Sequence, residues 1–170
     1  MIHEILPLIA AELSDFLDSR FDTSEDPVTL SNLVNQDGTV AVKGENKIVV
    51  SVVNIERDGS NLMAGGGFTR GDMPVHVNLY VMFSAYFNDY FEALKFISGV
   101  IGFFQGSPSF TYLGTTVKAE LHNIDFRELG NLWTALGAKS LPFVIYKIRT
   151  LDMDEDNIRE VIPPVSGVSF

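Results

Sequence analysis

Histidines, serines, carboxylates and cysteines decide first which chemistry the chain could carry. It has three histidines, His3, His76 and His122, in separate segments, and no cysteine. No HExxH or HxH pair occurs, so a zinc site would need His76 and His122 to meet across a sheet and still lack a third ligand. Without Cys there is no thiolate nucleophile, Cys-ligated zinc or disulfide, a usage that favours a reducing compartment. Asp152, Asp154 and Asp156 alternate in DMDED, but the glycine and closing glutamate of a calcium loop are missing, and the run reads as a solvated acidic turn. Ser84 lacks the Gly-flanked elbow that exposes a nucleophile. Glu12 and Asp15 share a helix face, a spacing that any acidic surface helix produces. Gly65, Gly66 and Gly67 lie in the Gly-rich stretch from Glu56 to Pro74, which has neither GxGxxG nor GxxxxGK[ST] and is expected to be a mobile loop rather than a phosphate cradle. No catalytic residue, metal ligand or cofactor is therefore assigned, and the chain reads as a non-enzyme. The alternative is a small soluble enzyme or binding adaptor with a site near residues 56–74, beside His76.

These residues must be positioned by a chain of 170 residues with formal net charge −10, a length that fits one domain with an ample core. Such charge argues against a nucleic-acid partner, because that affinity rests on Lys and Arg neutralising phosphates. Anionic membrane surfaces are disfavoured for the same reason. The opening MIHEILPLIAAELSDFLDSRF carries Glu4, Glu12, Asp15 and Asp18 among its apolar residues and reads as neither signal peptide nor membrane span.

The elements follow from periodicity. Ile2, Ile5, Leu6, Ile9, Leu13, Phe16 and Leu17 recur at helical intervals; Pro7, acceptable in a first turn, sets the expected start near residues 4–6, with an end near Asp18. Val28 to Val34 reads as a strand, and Asp37-Gly38 as the turn of a hairpin with Thr39 to Val42. KIVVSVVNI, from Lys47 to Ile55, is β-branched and apolar enough for a central strand. PVHVNLYVMFSAYF alternates Val75, Val77, Leu79, Val81 and Phe83 with a half-polar second face, so both faces of that strand are expected to be covered. Phe91, Leu94, Ile97, Ile101 and Phe104 define a helix from Tyr90 to Phe104, stopped by Gly106 and Pro108. Val117 to Asn123 is a strand, Asp125 caps a helix from Phe126 to Leu136 with Glu128 as capping-box partner, and Pro142 to Leu151 is a last strand. The order predicts an α/β (α+β) single domain, with helices on at least one face of a mixed or antiparallel sheet.

Two features exceed what one small core requires. The chain has 13 Phe and five Tyr, concentrated in NLYVMFSAYFNDYFEALKFISGVIGFFQGSPSFTYL, and Phe83, Phe87, Phe91 and Phe103 or Phe104 can hardly all point inward. Aromatic side chains are enriched at subunit interfaces, so core packing and interface burial both have a claim on them. Beyond the expected domain at residues 1–157, the tail 158–170 carries Ile158, Val161, Ile162, Val165, Val168 and Phe170, while Pro163, Pro164 and Gly167 bar a helix. An extended arm of this length reaches about 45 Å, far enough to add a strand to a neighbour or to fold back on its own sheet. The candidate interface residues are Phe87, Phe91, Phe103, Phe104, Ile162, Val165, Val168 and Phe170. Trp133, on the stripe of the last helix, is expected to be a core anchor.

Three blocks carry a resemblance: IVVSVVNIE (Ile48 to Glu56), VHVNLYVMFSAYFNDYFEALKFISGVIGFFQ (Val75 to Gln105) and ELHNIDFRELGNLWTALGAKSLPFVIYKIRTL (Glu120 to Leu151). In this order, with the opening MIHEILPLIAAELSDFL, the sequence resembles the Pvc16 family N-terminal domain, the cap or tail-terminator proteins of extracellular contractile injection systems. The resemblance implies a tail-terminator-like fold and an assembly role: a ring, expected to be hexameric, that sits on the last layer of inner tube and sheath and ends their growth. It implies as partners other copies of the chain, the sheath and inner-tube proteins and a paralogous cap protein, with assembly in the cytoplasm before incorporation into a particle that is released or stays cell-associated. The family supplies no catalytic residues to transfer. Here the NIE block turns at once to Arg57-Asp58-Gly59, where many relatives continue with acidic residues, so this loop is expected to meet its neighbours differently. Some relatives continue beyond the position of Phe170, and both a principal cap and a second paralogue stay open.

Overall fold

The computed structural model describes residues 2–23, 25–59, 75–112 and 114–153. Helix α1, Ile2–Phe21, is followed by strands β1, Val28–Leu30, β2, Lys47–Arg57, and β3, Val75–Tyr86. Helix α2, Tyr90–Gly106, leads to strands β4, Ser109–Tyr112, and β5, Thr115–His122; helix α3, Phe126–Leu136, precedes strand β6, Phe143–Met153. The strands form one six-stranded sheet in the order β1-β2-β3-β6-β5-β4. Only β1 and β2 run parallel; every other neighbour is antiparallel. The predicted mixed, largely antiparallel sheet flanked by helices is the observed fold.

The helix-bearing face holds the larger core. On β3, Leu79, Val81, Phe83 and Ala85 are buried beneath Ile5, Ile9, Leu13 and Leu17 of α1 and Phe96, Val100, Phe103 and Phe104 of α2. Phe104 stacks on Tyr146 at 4.1 Å between ring centroids and meets Phe83 edge-on at 5.1 Å. The helices approach closely at Gly99, where an added Cβ would lie 2.6 Å from Leu17 Cδ2 and 2.8 Å from Phe21 Cε2. The opposite face carries a second cluster, Leu33, Val49, Met82, Trp133 and Ile145, in which Trp133 is 7% exposed and meets Phe143 edge-on at 5.2 Å. Both faces of β3 are thus covered, as its half-polar alternation implied.

Local chemistry explains where elements end. Helix α1 begins at Ile2, before the expected start, because its apolar stripe already operates there; Pro7 lies inside it and withholds the one donor that the His3 carbonyl would accept. It runs on to Phe21, and Asp22, at φ 51°, closes it with an N–H donated to the Asp18 carbonyl at 2.8 Å. Asp89 caps α2 by accepting from Glu92 N at 2.9 Å. Asp125 caps α3 by accepting from Arg127 N and Glu128 N, and Gly137, at φ 66°, ends it in the left-handed conformation. The expected strand over Val28 to Val34 is shorter, stopping at Leu30. The hairpin at Asp37-Gly38 closes on a single bridge, Val34 to Val40, with Asn35 N donating to the Thr39 carbonyl at 2.8 Å. Asn and Asp side chains satisfy this segment locally: Asp37 accepts from the Thr39 amide at 3.0 Å and its hydroxyl at 2.6 Å. These two bonds hold the Asp37 carboxyl below its ordinary value.

Candidate assembly surfaces

The residues first considered for chemistry do not converge. Along β6, His122 is opposite Ile145 and His76 is opposite Asp152, on different sides of that strand. Seven residues of strand separate these register points (152 − 145), roughly 23 Å at ~3.3 Å per residue, so no histidine pair forms. His122 instead meets Tyr80 edge-on at 4.8 Å; the Tyr80 hydroxyl donates to Glu56 Oε2 at 2.7 Å and Lys147 Nζ sits 5.2 Å from the ring centroid. Ser84 is fully buried on β3, and Glu12 and Asp15 are exposed on α1. Among the described residues, no group of three or more His, Asp or Glu side chains is arranged to hold a metal ion. A cleft of about 760 Å³ lies between the end of α1, residues 44–47 and the start of α2, lined by Asp22, Asp26, Glu45 and Asp89 together with Phe21, Phe87 and Phe96. Lys47 reaches across it to donate to the Asp26 carbonyl at 2.6 Å. The expected mobile loop lies outside the described residues from position 60 to 74, as do Asp154 and Asp156.

The surfaces suited to assembly are apolar faces and unpaired sheet margins. Phe103 and Phe104, 5% and 3% exposed, spend their rings in this chain's own core. Phe87 is half-buried with its ring 4.7 Å from that of Phe96, and Phe91 is 80% exposed. Ile162, Val165, Val168 and Phe170 lie outside the described residues. The stripe read from the sequence for α2 is corrected here. Its buried side is Ala93, Phe96, Ile97, Val100, Phe103 and Phe104, while Phe91, Leu94 and Ile101 face solvent. Helix α2 is apolar nearly all round, so a three-and-four spacing can be traced on either side, and the side holding Gly99 is the one that fits against α1. Sequence reasoning also missed Leu30, Val52 and Ile55, which stand 42%, 37% and 52% exposed. Their exposure depends on where α1 and α2 lie on the helix-bearing face of the sheet, which no residue pattern announces, and β1 pairs with β2 only over Ile48 to Val50. Among the described residues, β2 from Ser51 to Arg57 therefore has no strand on its outer side, and β4 likewise stops at Lys118 of β5. Such margins leave backbone donors and acceptors for an added strand.

Among the described residues, two open sheet margins and the exposed apolar side of α2 are surfaces suited to assembly. The family model for the Pvc16 N-terminal domain matches residues 6–167. The chain belongs to the Pvc16 N-terminal domain family. This match runs past position 157, to residue 167. Among solved structures, the chain is similar to the sheath/tube terminator of the PVC extracellular contractile injection system in its extended state. The TM-score is 0.63 at 15% identity, covering 100% of this chain and 62% of that one. It is also similar to the tube-terminating cap of the anti-feeding prophage, with a TM-score of 0.56 at 16% identity, covering 95% of this chain and 59% of the other. The chain thus spans about three fifths of the length of either structure. At such identities the likeness speaks for the fold, which is that of tail terminators and caps. No curated protein shows significant sequence similarity to the chain. No described helix is long and apolar enough to cross a membrane.

Proposed function

We propose that the chain is a structural terminator of a contractile injection system. Copies close into a ring, expected to be hexameric, on the last layer of inner tube and sheath and stop further addition. The observation that carries this reading is the Pvc16 family match over nearly the whole chain, joined to a fold shared with a sheath/tube terminator and a tube-terminating cap. Closed symmetry is the common solution for identical subunits that must cover a finite end. In this reading the partners are other copies, the sheath and inner-tube proteins and a paralogous cap, and none of its work requires catalysis. The protein assembles in the cytoplasm and then travels with the particle, released or cell-associated. Within the copy, residues 1–157 form the terminator domain and residues 158–170 an extended arm. Phe91 and Phe87 face neighbouring chains, and Ile162, Val165, Val168 and Phe170 contact a neighbour or the sheath. The open margins of β2 and β5 are the places where such an arm gains main-chain hydrogen bonds. Removing the gene from a producing strain tests the role: tubes and sheaths of uncontrolled length are expected, and particles of normal length with normally closed ends would contradict it.

A further inference from the structure

We propose that the outward face of α2 in one copy packs on the uncovered β1–β2 strip of a second copy, a pairing that rests on the ring-forming reading above. Phe91, Leu94 and Ile101 lie along one line of α2, and the only charged residues of that helix, Glu92 and Lys95, pair with each other at 3.1 Å. The chain carries a net charge of −10, so identical copies repel across most of their surface and associate best where charge is absent. Gly102 lies in the same helix, and nothing stands within 4 Å of where its Cβ would be. Glycine is disfavoured inside a helix, and no contact within the chain calls for it here; a close approach by another chain does.

The receiving strip is Leu30, Val52 and Ile55. Leu30 follows the alternation of buried Val28, and the register sets Val52 opposite Val81 and Ile55 opposite Leu79, whose side chains lie in the helix-covered core. All three therefore belong to the face on which α1 and α2 already pack and stand exposed on it, as does Leu121 of β5, opposite Tyr146. A neighbour's α2 supplies an apolar line, with its one charge pair mutually satisfied, for an apolar strip that ends at exposed Arg57, opposite Val77 on the same face. Because the two patches differ, the contact is heterologous and propagates around a ring, whereas α2 against α2 would stop at a dimer.

The absence of native cysteine gives a clean test. Proteins carrying Leu94→Cys or Ile55→Cys alone should stay uncross-linked under mild oxidation, and their mixture should give a disulfide-linked pair. Phe91→Ser, at an exposed position, should keep the wild-type circular dichroism and melting profile and weaken association at least tenfold by mass measurement. Cross-linking of Leu94→Cys with itself, or wild-type assembly by the folded Phe91→Ser protein, would overturn this contact and leave the ring intact. A wild-type chain that is monomeric at every concentration and never cross-links would overturn the contact and the ring together.

Discussion

Trp133 and Gly99 show how single residues hold the two layers on the sheet. Trp133 fills the smaller core between Phe143, Val49 and Met82, so Trp133→Ala removes a large buried ring and should cost about 3 to 5 kcal/mol, read as a lowered denaturant midpoint. Unchanged melting with lost assembly would place it at a subunit boundary instead. At Gly99, a methyl group must displace packed Leu17 and Phe21; overpacking of about 2 kcal/mol, against about 1 kcal/mol gained in helix propensity, leaves Gly99→Ala destabilising by about 1 kcal/mol. Gly102→Ala meets no atom and should raise the stability of the isolated monomer by about 1 kcal/mol, so thermal melting of the two variants should shift in opposite directions. Asp37 adds a pH dependence. Its bonds to Thr39 lower its folded value from 3.8, so their contribution is fully present above that value and fades as pH falls through the lowered one. Asp37→Asn should therefore flatten the acid limb of the unfolding curve by lowering stability near neutral pH while leaving it unchanged below the lowered value.

At the scale of elements, strong local signals were legible and ambiguous ones were not. The caps at Asp125 and Gly137, the Asp37-Gly38 turn and the central β3 strand followed directly from side-chain chemistry and alternation. Helix α2 was placed correctly and its stripe only in part: Ile97 and Phe104 are buried, whereas Phe91, Leu94 and Ile101 share the spacing but face solvent, and the fit of Gly99 against α1 distinguishes the sides. Phe103 and Phe104, read as interface residues from aromatic excess alone, find room inward because Phe83, Phe110 and Tyr146 form an aromatic core around them. The brevity of β1 and the exposed strip at Leu30, Val52 and Ile55 depend on strand pairing and on where the helices lie over the sheet, which are tertiary properties. The arm makes its prediction at this scale. Deleting residues 158–170 should leave far-ultraviolet circular dichroism nearly unchanged while abolishing ring assembly or attachment to the tail. Loss of monomer folding would show that the arm folds back on its own sheet; normal rings and normally capped particles would refute its assembly role.

For the whole molecule, the family was legible because three sequence blocks appear in order, and the matched span from 6 to 167 encloses all of them. Physical patterning supplied the fold class, yet it could not supply the pairing order β1-β2-β3-β6-β5-β4, in which the last strand inserts between β3 and β5. The net charge of −10 is unevenly distributed, with an acidic α1 and a nearly neutral α2, and the proposed contact between copies rests on that contrast. The central claim is that many copies end one tube. Electron microscopy of purified particles, with the chain located by a small tag, tests it most directly. The account predicts a single closed ring of this chain, six copies expected, at one end of every finished tube; its absence from particles, together with a strictly monomeric purified protein, would contradict it.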